Sequence, residues 1–407
     1  MRILLVSSHA FPSVGGVENS LRYISRELLH MGHEVKIWCL QTSPDYPLRC
    51  LHEGVEILRA PYKKSRWPHI ESRRRLGVTQ HGIRPVLESF RPDAVWSRSA
   101  PIGLGVVRSG FAVPVYHILP VTARMDADSL YLRTQGMPLK RRAVLLSLWP
   151  LHLLTASRIE KELLRACQPI VFSENMRDAV RRSYGLAIYE KTRLIRPGVD
   201  SKFFSPTRGE GLFSRIEREY GLSPSEGYIL FVGRFSAMKN LYSLVDALEH
   251  VEPPRRLVLV GEGSEESRLR NYCSLRGLGD RVVFVGRQAE LLPGFYAMAR
   301  VLVNPSLIEP FGQTLLEAMS CGTPVVGFGG RHGRIATATH EIVRDGVTGR
   351  VVEDASPSAL AGAIQSILEL PEEHYTAMSQ KCVEEVAERF SWRRFVDEML
   401  AFILVRS

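Results

Sequence analysis

Two cations and two carboxylates stand where they could do chemistry. Arg234 and Lys239 fall in the stretch Gly233-Arg234-Phe235-Ser236-Ala237-Met238-Lys239-Asn240, between an apolar run (Tyr228 to Val232) and a helical pattern. Cations at the carboxyl end of a parallel strand, beside the free amides of a helix start, would suit a diphosphate. Two solvated surface cations are the plainer alternative. Glu309 and Glu317 are separated by seven residues. Pro310 favours extended backbone at Glu309, whereas Glu317 lies inside a helix starting near 311–313 and ending at Gly322. Such carboxylates can accept hydrogen bonds from vicinal hydroxyls, while the helix start attracts an anion. Helix capping for Glu309 and solvation for Glu317 would be their ordinary roles. A third segment, Pro12-Ser13-Val14-Gly15-Gly16-Val17-Glu18, puts paired glycines before a helix. It could aim free amides at an anion or simply form a flexible turn. It is neither G-x-G-x-x-G nor a Walker loop, which speaks against dinucleotide and P-loop binding.

These residues need a scaffold, and the apolar runs supply one. Ile3 to Val6 reads as a buried strand, 18–31 as a helix stopped by Gly32, and Val35 to Leu40 as a second strand. Runs at 94–96, 113–118 and 169–173 continue the alternation. A second series begins near Gly227, with strands at 228–232, 256–260, 282–285, 301–304 and 324–327 separated by short helices. Alternating strands and helices with short loops predict α/β domains with doubly wound parallel sheets. Arg196-Pro197-Gly198 interrupts both periodicities, so the domains are placed at 1–198 and 207–389, with the linker at about 196–206. Helices at 357–368, 375–390 and 392–404 are too many for a simple cap on the second sheet.

Composition narrows the classes. The chain has 407 residues, 45% hydrophobic and 24% charged, and a net charge of +10. Disordered and fibrous chains are excluded, and anionic partners are favoured. Six cysteines without a C-x-x-C pair or a His cluster read as reduced thiols, not a disulfide framework or zinc site. Ser, His and Pro break the N-terminal apolar run before a signal core forms, and the apolar stretch 143–156 is too short to span a bilayer. The expectation is a cytoplasmic protein with no membrane-spanning segment. No recognition motif or basic, aromatic-interleaved surface points to nucleic acid.

Taken together, the segments resemble a known family: retaining GT-B glycosyltransferases of family 4 (glycosyl transferases group 1). The resemblance runs through Gly15-Gly16-Val17-Glu18, VGRFSAMKN, Val260-Gly261-Glu262-Gly263, the stretch Asn304 to Val326 with its E-x7-E pair, and EIVRDGVTG at 341–349. It implies two Rossmann-like domains facing a central cleft, the first for acceptor and the second for a nucleotide-sugar donor. The helix at about 390–407 would pack back on the first. It implies transfer of a hexose or N-acetylhexosamine, from a UDP-sugar, to an acceptor hydroxyl in that cleft. Arg234 and Lys239 would meet the diphosphate, with a backbone amide from Gly16 in the Gly15-Gly16 turn. Glu309 would lie at the donor sugar, near amides of Phe311, Gly312 and Gln313. Glu317 would bind the ribose, the base would sit near Arg287, His117 would lie close to the transferred sugar, and Glu18 would face the acceptor. Alone, His117 would be read as structural. The resemblance implies neither a cofactor nor an essential metal. A phosphorylase or an epimerase on the same fold is the alternative, as is a membrane-associated lipid glycosyltransferase. The sequence departs from many relatives in the longer loop at 328–340, with Arg331, His332 and Arg334. Basic segments at 63–75 and 140–142, the latter before the apolar run 143–156, could approach an anionic acceptor or membrane surface, but solvated loops and a core helix are the plainer account.

Overall fold

The computed structural model describes residues 1–13, 15–65, 67–125, 139–330 and 336–405, without the side chains of 139–141. Val14, Arg331, His332, Arg334 and the side chains of Lys140 and Arg141 therefore lie outside the described residues. The chain divides into two compact units, one of Met1–Arg196 with Trp392–Ser407 and the other of Pro197–Ser391.

The first unit is built on an eight-stranded sheet. Its strands are β1 (Arg2–Val6), β2 (Glu34–Gln41), β3 (Arg49–His52), β4 (Val55–Pro61), β5 (Ala94–Ser97), β6 (Val115–Ile118), β7 (Gln168–Val171) and β8 (Arg193–Leu194). They lie in the order β3-β4-β2-β1-β5-β6-β7-β8, all parallel except β3, which runs antiparallel to β4. Strand side chains alternate between faces, and β1 shows it. Ile3 and Leu5 join one core with Leu21, Ile24 and Leu28 of helix α1 (Gly16–His30), while Leu4 and Val6 join a second core on the other face. That second core includes Leu76 of helix α2 (Pro68–Gly82) and Ile159, Leu163 and Leu164 of helix α3 (Leu139–Ala166). The greasy stretch 143–156 is thus part of a longer helix, with Pro150 inside it. No described helix is long and apolar enough to cross a membrane.

The helix Trp392–Leu404 belongs to the first unit. Its buried Trp392, Phe395, Val396, Met399, Leu400 and Ile403 complete the core beside α1, with Trp392 stacked on Tyr23 at 5.6 Å. Each such side chain contributes about 1.5–3 kcal/mol through burial, so this helix is a structural wall, which accounts for the surplus of C-terminal helices.

The second unit has a six-stranded, all-parallel sheet ordered β11-β10-β9-β12-β14-β16. Its strands are β9 (Ile229–Val232), β10 (Leu257–Val260), β11 (Val282–Gly286), β12 (Val301–Asn304), β14 (Val325–Phe328) and β16 (Gly349–Val352). A two-stranded ribbon, β13 (Ile308–Glu309) with β15 (Ala336–Thr337), stands apart from it. In the two sheets the strand order reverses beside β1 and β9, whose neighbours are β2 with β5 and β10 with β12. Open α/β sheets hold ligands beyond the carboxyl ends of strands at such a reversal. The loops leaving β1, β5, β9 and β12 are therefore the places to look.

Candidate active site

In the second unit the reversal brings two loops together. The loop after β9 is braced by β10: Gly233 N donates to Val260 O (3.0 Å), and Phe235 N to Glu262 O (2.9 Å). Gly261 and Gly263 make that approach possible, since a Cβ there would lie 1.9 Å from Gly233 O or 2.1 Å from Phe235 O. The Val260-Gly261-Glu262-Gly263 segment is thus a backbone support for the Arg234 loop. Leu307 N donates to Met238 O (3.0 Å), tying the loop after β12 to the loop after β9. Glu309 is held extended by its pairing with Thr337, and its carbonyl accepts from Ala338 N at 3.2 Å.

The braced loops place Lys239 and Glu309 in contact. Lys239 Nζ donates to Glu309 Oε2 in an ion pair, both side chains mostly buried, and Ser306 Oγ lies 3.5 Å from the same oxygen. Arg234, on the same loop, is exposed and forms no ion pair among the described residues. Arg287, after β11, is exposed and lies 3.7 Å from Glu262. Gly312, with φ of 100°, is the N-cap of helix α4 (Gln313–Ser320), in a left-handed conformation that suits glycine. Phe311 is buried against Phe390 at 6.1 Å, and Gln313 Nε2 donates to Gly198 O at 2.8 Å. The Gln313 side chain thus fastens α4 locally, leaving only its backbone amide for a ligand.

Glu317 is placed differently from its partner in the E-x7-E pair. The residue as a whole is only partly buried, yet its carboxyl end is well shielded and accepts from Tyr296 Oη at 2.8 Å. Burial pushes this carboxyl up to about 7, against the opposing effect of the Tyr296 hydrogen bond. Because the folded state holds its proton more tightly than the unfolded chain, the native state loses stability as pH rises from about 4.5 to 7. Glu317→Gln removes that loss. Its unfolding free energy relative to the parent is expected to rise over this range, by up to roughly 3 kcal/mol. Urea unfolding at pH 4.5 and 7.5 measures it; an unchanged difference would refute the assignment.

The first unit holds a pocket of about 320 Å³ at the carboxyl ends of β1, β5 and β6. Glu18 and His117 both line it. Glu18 sits in the first turn of α1, and its carboxylate lies against Gly15, where a Cβ would come within 2.5 Å of Oε2. Gly15 is the extended N-cap of α1, and the space over Gly16 is open. His117 is fully enclosed, with Nδ1 3.3 Å from Ser97 Oγ. Burial, and then the charge of Arg98, push its imidazole down to about 3, so it is neutral at physiological pH.

Several lining residues were not singled out in the sequence. Arg98 follows β5 directly and is buried at the pocket. A charged residue straight after an apolar strand was the available signal. Arg75 belongs to the basic segment 63–75, but its Nη1 turns inward to Ser8 Oγ (3.1 Å) and its Nε to Glu71 (2.8 Å). Lys63, Lys64, Arg73 and Arg74 remain exposed, beside exposed Trp67 and Ile70. Buried Glu160 receives Ala123 N (2.6 Å) and the Tyr184 hydroxyl (2.7 Å), fixing the loop after β6.

Comparison with known proteins places this arrangement. Residues 14–203 match the family described as Glycosyltransferase Family 4, and residues 213–384 match Glycosyl transferases group 1. The chain is 28% identical to a GDP-mannose-dependent alpha-(1-6)-phosphatidylinositol dimannoside mannosyltransferase of Mycobacterium tuberculosis, over 98% of this chain and 95% of that one. It is 27% identical to a D-inositol 3-phosphate glycosyltransferase of Segniliparus rotundus, over 98% and 88%. Among solved structures, a sucrose-phosphate synthase from Thermosynechococcus elongatus matches over the whole of both chains, with 25% identity and a TM-score of 0.79. The Anabaena HepE protein in complex with UDP matches with a TM-score of 0.71 at 19% identity, a likeness of fold. The chain belongs to the family 4, group 1 glycosyltransferases of GT-B fold, enzymes that transfer a sugar from a nucleotide sugar to an acceptor.

Proposed function

We propose that this glycosyltransferase moves a hexose-type sugar from a UDP-sugar to an acceptor hydroxyl with retention of anomeric configuration and without an essential metal. The observation that supports it is the pairing of Lys239 with Glu309 at the reversal point of the second sheet, on the loop that also carries exposed Arg234. Arg234 and Lys239 stabilise the diphosphate as the anomeric C–O bond breaks and its electron pair passes to the leaving oxygen. A Gly16 amide assists at the same phosphates. Glu309, with the amides of Phe311, Gly312 and Gln313, orients the sugar, Glu317 takes the ribose hydroxyls, and the base lies toward Arg287. The acceptor oxygen bonds to the anomeric carbon on the face the diphosphate leaves, and its proton goes to a diphosphate oxygen. Neutral His117 serves as a hydrogen-bonding group toward the sugar and Glu18 toward the acceptor. The enzyme is assigned to the cytoplasm.

Likeness to the mycobacterial mannosyltransferase favours a second reading, a GDP-linked donor and a lipid acceptor. Exposed Lys63, Lys64, Arg73 and Arg74 beside Trp67 suit peripheral contact with an anionic bilayer in that case.

A thermal-shift panel of UDP- and GDP-sugars, then transfer to soluble and vesicle-borne acceptors with the best donor, tests both. The expected product keeps the donor's anomeric configuration, read by NMR. Inversion would overturn the mechanism. Turnover with free phosphate alone, or epimerisation without acceptor, would instead identify a phosphorylase or an epimerase.

A further inference from the structure

The pocket of the first unit contains a charge that the fold leaves poorly satisfied. Arg98 is 5% exposed. Its guanidinium makes one hydrogen bond among the described residues, from Nη1 to Ile118 O at 3.1 Å, and stands 4.8 Å from the Phe172 ring centre. Its Nε is buried with no partner. A guanidinium carries five N–H donors, and a buried cation in this state is strongly unfavourable until an anion completes it. The pocket's carboxylates do not do so. Glu160 is engaged by Ala123 N and Tyr184, and Glu18 is folded against Gly15, near enough to act on Arg98 only through space.

A second cation reaches the same pocket from another element. Arg75 on α2 is fixed by Glu71 and by Ser8, which in turn bonds Ser99 Oγ at 2.8 Å. Hydroxyls of Ser7, Ser72 and Thr122 complete a polar lining. Two guanidiniums from separate elements suit the several oxygens of a tetrahedral phosphate better than a planar carboxylate, which one fork fills. A volume of about 320 Å³ is at the small end for ligand pockets. It fits one polyol ring with its phosphate.

We propose that the acceptor of this enzyme is a phosphorylated polyol, held in the first-unit pocket with its phosphate on Arg98 and Arg75 and its hydroxyls on the surrounding serines and threonine. The assignment rests on the glycosyl-transfer reading and adds the class of acceptor. A free polyol phosphate and a lipid headgroup present the same chemistry to this pocket, and the test below distinguishes them.

Calorimetric titration of the intact chain tests it with matched pairs: inositol 3-phosphate against inositol, glucose 6-phosphate against glucose, and glycerol 3-phosphate against glycerol. At least one phosphorylated member is expected to bind tenfold or more tightly than its partner. Arg98→Met is expected to abolish that preference, and Arg75→Gln to reduce it severalfold. Both variants should bind the nucleoside diphosphate of the preferred donor as the parent does, which shows that they are folded. Vesicles of phosphatidylinositol in phosphatidylcholine form the second arm. Binding there with none to the soluble phosphates assigns a lipid headgroup, and binding to the soluble phosphates assigns a free one. Equal affinity within every pair together with no vesicle binding overturns the proposal, as does a preference that survives in both variants. Failure of the parent to bind any nucleoside diphosphate would instead defeat the glycosyl-transfer reading.

Discussion

Lys239→Met is expected to lower the turnover number about a thousandfold while the second unit stays folded. The lysine meets Glu309 where β9 and β12 lie side by side, its loop pinned by Met238 O accepting from Leu307 N. On the proposed reading its charge stabilises the diphosphate most at the moment the sugar departs. Removing one such preorganised donor costs on the order of 10²–10³ in rate. The substitution also leaves the Glu309 carboxylate, whose side chain is 14% exposed, without its cation, so a modest fall in melting temperature should accompany the loss. Arg234→Ala separates the two effects. Arg234 is exposed and unpaired among the described residues, so its removal should cost activity on the same scale and no stability. Initial-rate kinetics beside thermal melts give both readouts. Full turnover in either variant would mean that the diphosphate is held elsewhere.

The largest stability effect should come from a residue with no side chain. Gly261 has φ of 144°, a conformation rarely open to other residues, and a Cβ there would lie 1.9 Å from Gly233 O. Gly261→Ala must move the backbone of β10 away from the Arg234 loop. Backbone strain and lost packing together predict about 3–5 kcal/mol of destabilisation. Gly362→Ala is the control. It lies inside the helix Pro357–Leu368 with nothing within 4 Å of its added methyl, and helix propensity predicts a gain of up to about 1 kcal/mol. Denaturant unfolding of the pair decides the matter. Equal stabilities would show that the close approach is not rigid.

These sites were legible in the sequence to unequal degrees. The buried parallel strands announced themselves as short apolar runs, and Pro310 correctly forced Glu309 into extended backbone, which the structure completes as strand β13. Edge strand β3 gave no such sign. Its residues are Arg49, Cys50, Leu51 and His52, none of them fully buried, so no apolar run marks it. The apolar run of helix α3 was legible as a core helix but its full extent was not, because Pro150 argues against a continuous helix, and packing of Leu163 and Leu164 overrides that local preference. Contacts such as Lys239 to Glu309 join residues 70 positions apart. They depend on strand order, which periodicity does not encode. Arg98 was missed for the same reason: its guanidinium meets Ile118 O of β6 and the Phe172 ring beyond β7 only once the sheet is assembled.

The return of the Trp392–Leu404 helix to the first unit has a consequence for how the protein is made. Synthesis proceeds from the amino terminus, so the first unit emerges early yet lacks six buried side chains of its core until residues 392–404 leave the ribosome. The second unit, Pro197–Ser391, is contiguous and can close first although it is translated later. Nascent chains halted before residue 392 should therefore carry a finished second unit and a first unit whose α1 face still exposes Leu21, Ile24 and Leu28 to chaperones.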